Sequence, residues 1–333
     1  MNSYERVKAL VAEQPVDHLA AMPIIMIWAA QNAGVSYADY CQDYRVLCDC
    51  QLRLLEEFPL DVVQLISDPY RETADLGAEL KYYDDGPPRC LQPVLAPLRK
   101  LPDVDISGGF AGKRMLDRVH GAETLRERVG GGVPIMGWVE GPLAQAADLR
   151  GMQTLMMDLV DEPAWVGELM DWVVELEIGF AKAQIEAGCD IIGIGDAAAS
   201  LVSARVYEEM VLPREQRLVQ AIRAAGAVAR LHICGNTRHL LTLMPQTGCE
   251  IIDLDYLFPI EEARPAMGPE PIILGNFDPV SALLEATVEQ VYEWCERCHK
   301  ACGERHIVGP GCEVPPGTAK EKISAMLRYA AEH

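Results

Sequence analysis

Leu231-His232-Ile233-Cys234-Gly235-Asn236-Thr237 runs from apolar residues into His-x-Cys and then a Gly-Asn-Thr turn. A short apolar run bounded by breakers reads as a buried β-strand, and residues i and i+2 of a strand share one face. His232 and Cys234 are therefore expected to point into the same space at the strand's end. Seven other runs have the same character. They are Met22-Pro23-Ile24-Ile25-Met26-Ile27-Trp28, Leu60-Asp61-Val62-Val63-Gln64-Leu65-Ile66, Val133-Pro134-Ile135-Met136-Gly137-Trp138-Val139, Asp190-Ile191-Ile192-Gly193-Ile194-Gly195-Asp196, Cys249-Glu250-Ile251-Ile252-Asp253-Leu254-Asp255, Pro271-Ile272-Ile273-Leu274-Gly275-Asn276 and His306-Ile307-Val308. Helical patterns fall between them, at 3–14, 37–58, 113–128, 152–187 with a break at Asp161-Glu162-Pro163, 203–225, 288–305 and from about 319 onward.

Strands alternating with helices imply a parallel sheet, and eight such units close into a (β/α)₈ TIM barrel of the α/β class. An open doubly wound sheet has about six strands and a glycine fingerprint in its first βα turn. None follows Trp28. The 333 residues fit a single barrel domain over 1–333, with an N-terminal helical segment and an irregular, Pro-rich excursion around 81–110.

A formal charge of -21 and a pI near 4.7 argue against nucleic acid or an anionic membrane as partner, because both reward clustered Lys and Arg. No secretory pattern opens the chain, and no apolar stretch is long enough to span a bilayer. The eleven cysteines are thus expected to be reduced thiols of a cytoplasmic protein.

Barrel enzymes carry their chemistry at the C-terminal ends of the strands. Asp68, Glu140, Asp196, His232, Cys234, Asp255, Asn276 and Cys312 all fall at such ends and are expected to crowd one mouth. His232, Cys234 and Cys312 form a three-ligand zinc set, which leaves one coordination position open; structural zinc sites close all four. Asp68, Asp196 and Asp255 are candidate catalytic acids, and Glu140 and Asn276 candidate cofactor contacts. Asp253 and Asp255 also fit loop-entry caps, and Asp196 a helix N-cap.

Rival signals are weaker. Cys295-x-x-Cys298-His299 matches a haem-attachment pattern, but Val291, Cys295, Cys298 and Cys302 trace the buried stripe of a helix. Cys48 and Cys50 point apart on a helix. Gly108-Gly109-Phe110-Ala111-Gly112-Lys113-Arg114 has the wrong spacing for a phosphate loop. His239 reads as a packing or solvated residue, and His306 begins a strand at the far end of the barrel.

Taken together, these residues resemble the uroporphyrinogen decarboxylase superfamily, and within it the zinc-dependent corrinoid methyltransferase branch that includes methylcobamide:coenzyme M methyltransferases. The resemblance runs through Ile66-Ser67-Asp68, Glu140-Gly141-Pro142, Asp196-Ala197-Ala198-Ala199-Ser200, Leu231 to Thr237, Leu274 to Val280 and Gly311 to Thr318. It implies zinc on His232, Cys234 and Cys312, with Asp255 or its neighbour Asp253 able to approach the open position. The decarboxylases differ: their Arg-rich segment after the first strand stands here as Trp28-Ala29-Ala30-Gln31-Asn32-Ala33-Gly34, their Tyr as about Asp148, and their late His as Pro310. Asp68 alone matches their catalytic Asp.

The expected activity is methyl transfer between a corrinoid and a zinc-bound small substrate, either a thiol acceptor or a methoxy- or methylamine-type donor. The corrinoid would be carried by a separate protein, since no Asp-x-His-x-x-Gly cobalamin run occurs. A decarboxylase-like lyase using Asp68 and a non-catalytic zinc-bearing scaffold are the competing readings.

Overall fold

Among the described residues, eight strands form one parallel sheet: β1 (Ala20–Ala21), β2 (Val63–Gln64), β3 (Ile135–Glu140), β4 (Ile191–Gly195), β5 (Val228–Ile233), β6 (Ile251–Leu254), β7 (Ile272–Leu274) and β8 (His306–Val308). The computed structural model describes residues 1–96, 99–106 and 112–333. From β2 to β8 each strand pairs with its successor, and β8 pairs with β1, so the sheet curls round on itself. At the seam between β1 and β2, Asp61 does the joining. Its N–H donates to the Ala21 carbonyl at 3.1 Å, and its carboxylate accepts the Ala21 N–H at 2.8 Å.

The first strand is displaced from its expected place. Pro23 has no N–H to give a ladder, so pairing stops early, and Ile27 and Trp28 open the helix Ile27–Ala33 instead. The helical stretch at 37–58 divides at Asp43, which follows Tyr37–Gln42 and caps Tyr44–Glu57 by accepting the Arg45 N–H at 2.9 Å. Within the irregular excursion, Glu79–Lys81 pairs antiparallel with Arg89–Gln92. The glycine run at 108–111 lies outside the described residues. On the helix Val288–Cys302 the Cys295, Cys298 and Cys302 side chains are buried core, as the stripe requires. Among the described residues no helix is long and apolar enough to cross a membrane.

Strand alternation sorts the core into two layers. Ala20, Met22, Met136, Trp138, Ile191, Ile251, Ile272, Leu274 and Ile307 pack together inside the barrel. The alternate residues, such as Ile135, Val139, Ile192, Ile194, Leu231, Ile233, Ile252, Leu254 and Ile273, pack outward among the helices. This phase decides which strand-end side chain faces the lumen and which faces the helical shell.

Candidate metal centre

On β5 the inward phase falls on Arg230 and His232, and the backbone carries that direction on to Cys234. One His232 ring nitrogen and the sulfurs of Cys234 and Cys312 all lie within 4.8 Å of one another. His232 Nε2 is 3.0 Å from Cys234 Sγ. Its other nitrogen, Nδ1, sits 3.1 Å from Asp253 Oδ2, and Arg230 Nη2 holds the same oxygen at 2.6 Å. The pairing of His232 with Asp253 across β5 and β6 sets this contact. Fixing Nδ1 against a carboxylate leaves Nε2 as the nitrogen aimed at the sulfurs, which is the usual support of a metal-binding imidazole.

Two glycines bring the sulfurs together. Gly235 turns the chain after Cys234 at φ +100°, and a Cβ there would stand 2.7 Å from Ser200 Oγ. Gly311 lets the loop after β8 lie against the loop after β6, where a Cβ would meet the Tyr256 nitrogen at 2.6 Å. Cys312 follows directly. A hydrogen bond from Cys234 brings the Cys312 thiol down to about 4, with the His232 charge adding to it; Cys234 is held well above its ordinary value by the proton it shares with Cys312 and by burial. Burial opposes a charge on His232, but Cys234 and Asp253 overcome it and raise the imidazole well above 6.5. The cluster is electron-rich and shares protons among three soft donors. Such a set fits a borderline-soft divalent cation, which takes the place of those protons.

These donors open on a cavity of about 230 Å³ inside the mouth, which Asp68, Glu140 and Glu313 also line beside Trp138 and a few aliphatic side chains. Among the described lining residues none is Lys or Arg. Asp68 accepts Arg114 Nη2 and Ser67 Oγ, both at 2.7 Å. Burial works against its ionisation, yet Arg114 and Arg71 hold it at about 2. Glu140 meets Arg71 Nη2 at 2.8 Å but stays raised well above 4.5, first by burial and then by Glu72 and Asp148, against the pull of Arg71.

The remaining candidates are placed differently. Asp196 comes one residue after the inward Gly195, so it faces the helical shell. It is fully buried there, with Oδ1 accepting the Ala144 N–H at 2.7 Å and Oδ2 the Leu143 N–H at 3.3 Å, at the start of the helix Pro142–Arg150. Burial raises it to about 7 despite those bonds. Asp196 caps a helix and does not line the cavity. Asp255 accepts the Gly235 N–H at 2.6 Å and the Tyr256 N–H at 2.5 Å, so its carboxylate braces the turn behind Cys234 and is not one of the three clustered donors. Asn276 donates to the Asp255 and Phe258 carbonyls at 2.9 and 3.1 Å, which fixes the loop after β6.

Glu313 was not singled out from the sequence. It accepts the Ile27 N–H at 2.7 Å, tying the loop after β8 to the helix after β1, and burial raises it to about 8. Its only signal in the sequence is adjacency to Cys312.

Residues 2–333 match the family model described as Uroporphyrinogen decarboxylase (URO-D), and the chain belongs to that family. Its relatives span two activities. A uroporphyrinogen decarboxylase of Hydrogenovibrio crunogenus is 24% identical over 91% of this chain and 88% of its own. The methylcobamide:CoM methyltransferase MtbA of Methanosarcina mazei is 34% identical, over 63% of this chain and 61% of its own. The match thus spans about three fifths of that methyltransferase, and the relatives of this kind support the corrinoid methyltransferase branch. In fold, a methyltransferase from Methanosarcina mazei superposes with a TM-score of 0.88 over 100% of this chain and 99% of its own, at 22% identity.

Proposed function

We propose that the protein is a zinc-dependent methyltransferase that moves a methyl group between a corrinoid, carried by a separate protein, and a small substrate reaching the mouth of the barrel. The observation that supports this reading most is the convergence of His232, Cys234 and Cys312 on one face of a small internal cavity. Bound there, zinc would favour a substrate thiolate over the thiol, whose pKa of about 8.5 keeps it mostly protonated at neutral pH.

The chain's own residues supply the rest. Asp253 and Arg230 orient the imidazole; Asp255 and Asn276 hold the turn after Cys234; Trp138 and the aliphatic lining keep water from the reacting atoms. In transfer to a thiol, the acceptor sulfur forms a bond to the methyl carbon and its proton is released, while the electron pair of the carbon–cobalt bond remains on cobalt. The same donors would serve the opposite direction, from a methoxy or methylamine-type donor.

A decarboxylase-like lyase is the second reading, favoured only by Asp68 and by the whole-length relatives. A polycarboxylate would need cationic partners to leave water, and the described cavity lining offers none. Metal analysis together with methyl transfer from methylcobalamin to a panel of thiols tests the proposal. About one zinc per chain, with turnover abolished by a chelator, is expected; a metal-free protein would sink it. Zinc without turnover in either direction would instead favour the scaffold reading.

A further inference from the structure

Resting on the methyltransferase reading, we propose that the small substrate is uncharged and mainly apolar, a short alkyl or aryl thiol or its methyl thioether, held beside His232, Cys234 and Cys312 by an apolar wall and by no ionic anchor. The lining points this way. Ile24, Met26, Ile66, Pro69, Trp138 and Ala197 surround the donors, and almost all of the surface turned to the cavity is apolar. This wall is built from residues on or just after β1 to β4, while the donors come from β5 and the loop after β8.

The charged groups of the lining are already engaged by the chain. Asp68 Oδ2 accepts Arg114 Nη2 and Ser67 Oγ, both at 2.7 Å, and its Oδ1 accepts the Tyr70 N–H at 3.1 Å. Glu140 Oε1 accepts Arg71 Nη2 at 2.8 Å, and Glu313 Oε1 the Ile27 N–H at 2.7 Å. An ammonium group would have to win one of these carboxyls from its partner. A sulfonate or carboxylate meets no Lys or Arg among the described lining residues. Either ion would leave water without gaining a partner, a cost that an alkyl or aryl group does not carry. Apolar surface gains by leaving water.

Size narrows the guest further. The cavity holds about 230 Å³. An apolar protein cavity of about 150 Å³ admits benzene, so a molecule of that size or a little larger fills this one. Trp138 is a fixed part of the wall. Its ring presses on β4 at Gly195, where an added Cβ would stand only 2.9 Å from Trp138 Nε1. Ile24, Ile66 and Trp138 are all buried.

Three thioethers of similar length test this: methyl propyl sulfide, 2-(methylthio)ethylamine and 2-(methylthio)ethanesulfonate. Ligand-observed NMR titration into the full zinc-loaded chain reads affinity without requiring turnover. The uncharged compound is expected to bind about 10-fold or more tighter than either ion. From dimethyl sulfide through ethyl methyl sulfide to methyl propyl sulfide, each added methylene should tighten binding about 4-fold. Ile66→Thr and Ile24→Thr, each of which puts a hydroxyl on the wall, should weaken methyl propyl sulfide about 3- to 10-fold. An ion that binds as tightly as the uncharged compound, no gain along the series, no binding of any compound, or a wall indifferent to both isoleucine substitutions overturns the proposal. Turnover is read separately, with 1-propanethiol, 2-aminoethanethiol and 2-mercaptoethanesulfonate as acceptors from methylcobalamin. If no thiol is methylated while the uncharged compound keeps its lead in binding, the methyltransferase reading fails and the cavity assignment stands. If 2-mercaptoethanesulfonate is methylated with a kcat/KM equal to or above that of 1-propanethiol, the methyltransferase reading stands and the substrate class is wrong.

Discussion

On the β2 and β3 side of the cavity, Asp68 meets Arg114 and Glu140 meets Arg71, so each lining carboxyl already has a cation behind it. On the β5 and β8 side, His232, Cys234 and Cys312 face one another, and the far side of the imidazole is held by Asp253 and Arg230. The first wall is an ionic network in which carboxyls meet guanidinium groups of the chain; the second is a set of donors with the chemistry to hold an added ion. A buried charge that is already paired is part of the fold, and losing its partner costs stability. A cluster of soft donors left facing each other is poised for a ligand, and losing one member costs function.

The largest expected effect is on the second wall. Cys234→Ala or Cys312→Ala should abolish zinc binding and turnover with far-UV circular dichroism unchanged; loss of the fold on metal removal would make the centre structural. Arg71→Met should act in the opposite sense. It leaves Glu72 and Glu140 without their shared cation, and about 3–5 kcal/mol of stability should be lost in urea unfolding. Zinc content per folded chain should stay the same. If Arg71→Met instead strips the metal and spares stability, the contrast between the walls is wrong.

Asp253 joins the two kinds of interaction, since it pairs with Arg230 and orients His232. Asp253→Asn is expected to weaken zinc affinity about 10- to 100-fold by competition with a chromogenic chelator, with the three ligands still present. The smallest effect is an acid limb from the first wall. Asp68 lies at about 2 in the folded chain against an ordinary 3.8, so its pairing stabilises fully above about pH 4 and is lost as pH falls through about 2. Asp68→Asn should flatten that part of the stability profile below pH 4. A profile unchanged by the substitution would show that the Asp68–Arg114 contact contributes nothing measurable.

Much of this was legible in the chain. Eight apolar runs gave the strand count, and the His-x-Cys at the end of one of them, with the Gly-Pro-Gly-Cys loop after another, gave the three clustered donors. The errors have specific causes. Pro23 moved the first strand to Ala20–Ala21, because a residue without an N–H cannot extend a ladder. Asp196 sits at a strand end like Glu140, but one residue out of phase with the lumen. Counting parity from the inward Ile191 and Gly195 would have turned it away from the mouth. The same alternation puts Arg230 and His232 of β5 on the lumen side.

Glu313 and the network around Arg71 had no such handle. What the sequence by itself determined is the periodic part: which segments are strands, which of their residues share a face, and which carry thiol or imidazole at the open end. Only the closed barrel decided which carboxyl is paired, which braces a turn and which is left facing the cavity. Those outcomes depend on contacts between segments as far apart as Ile27 and Glu313, where burial and neighbouring charge act over a few ångströms of space that chain distance does not encode.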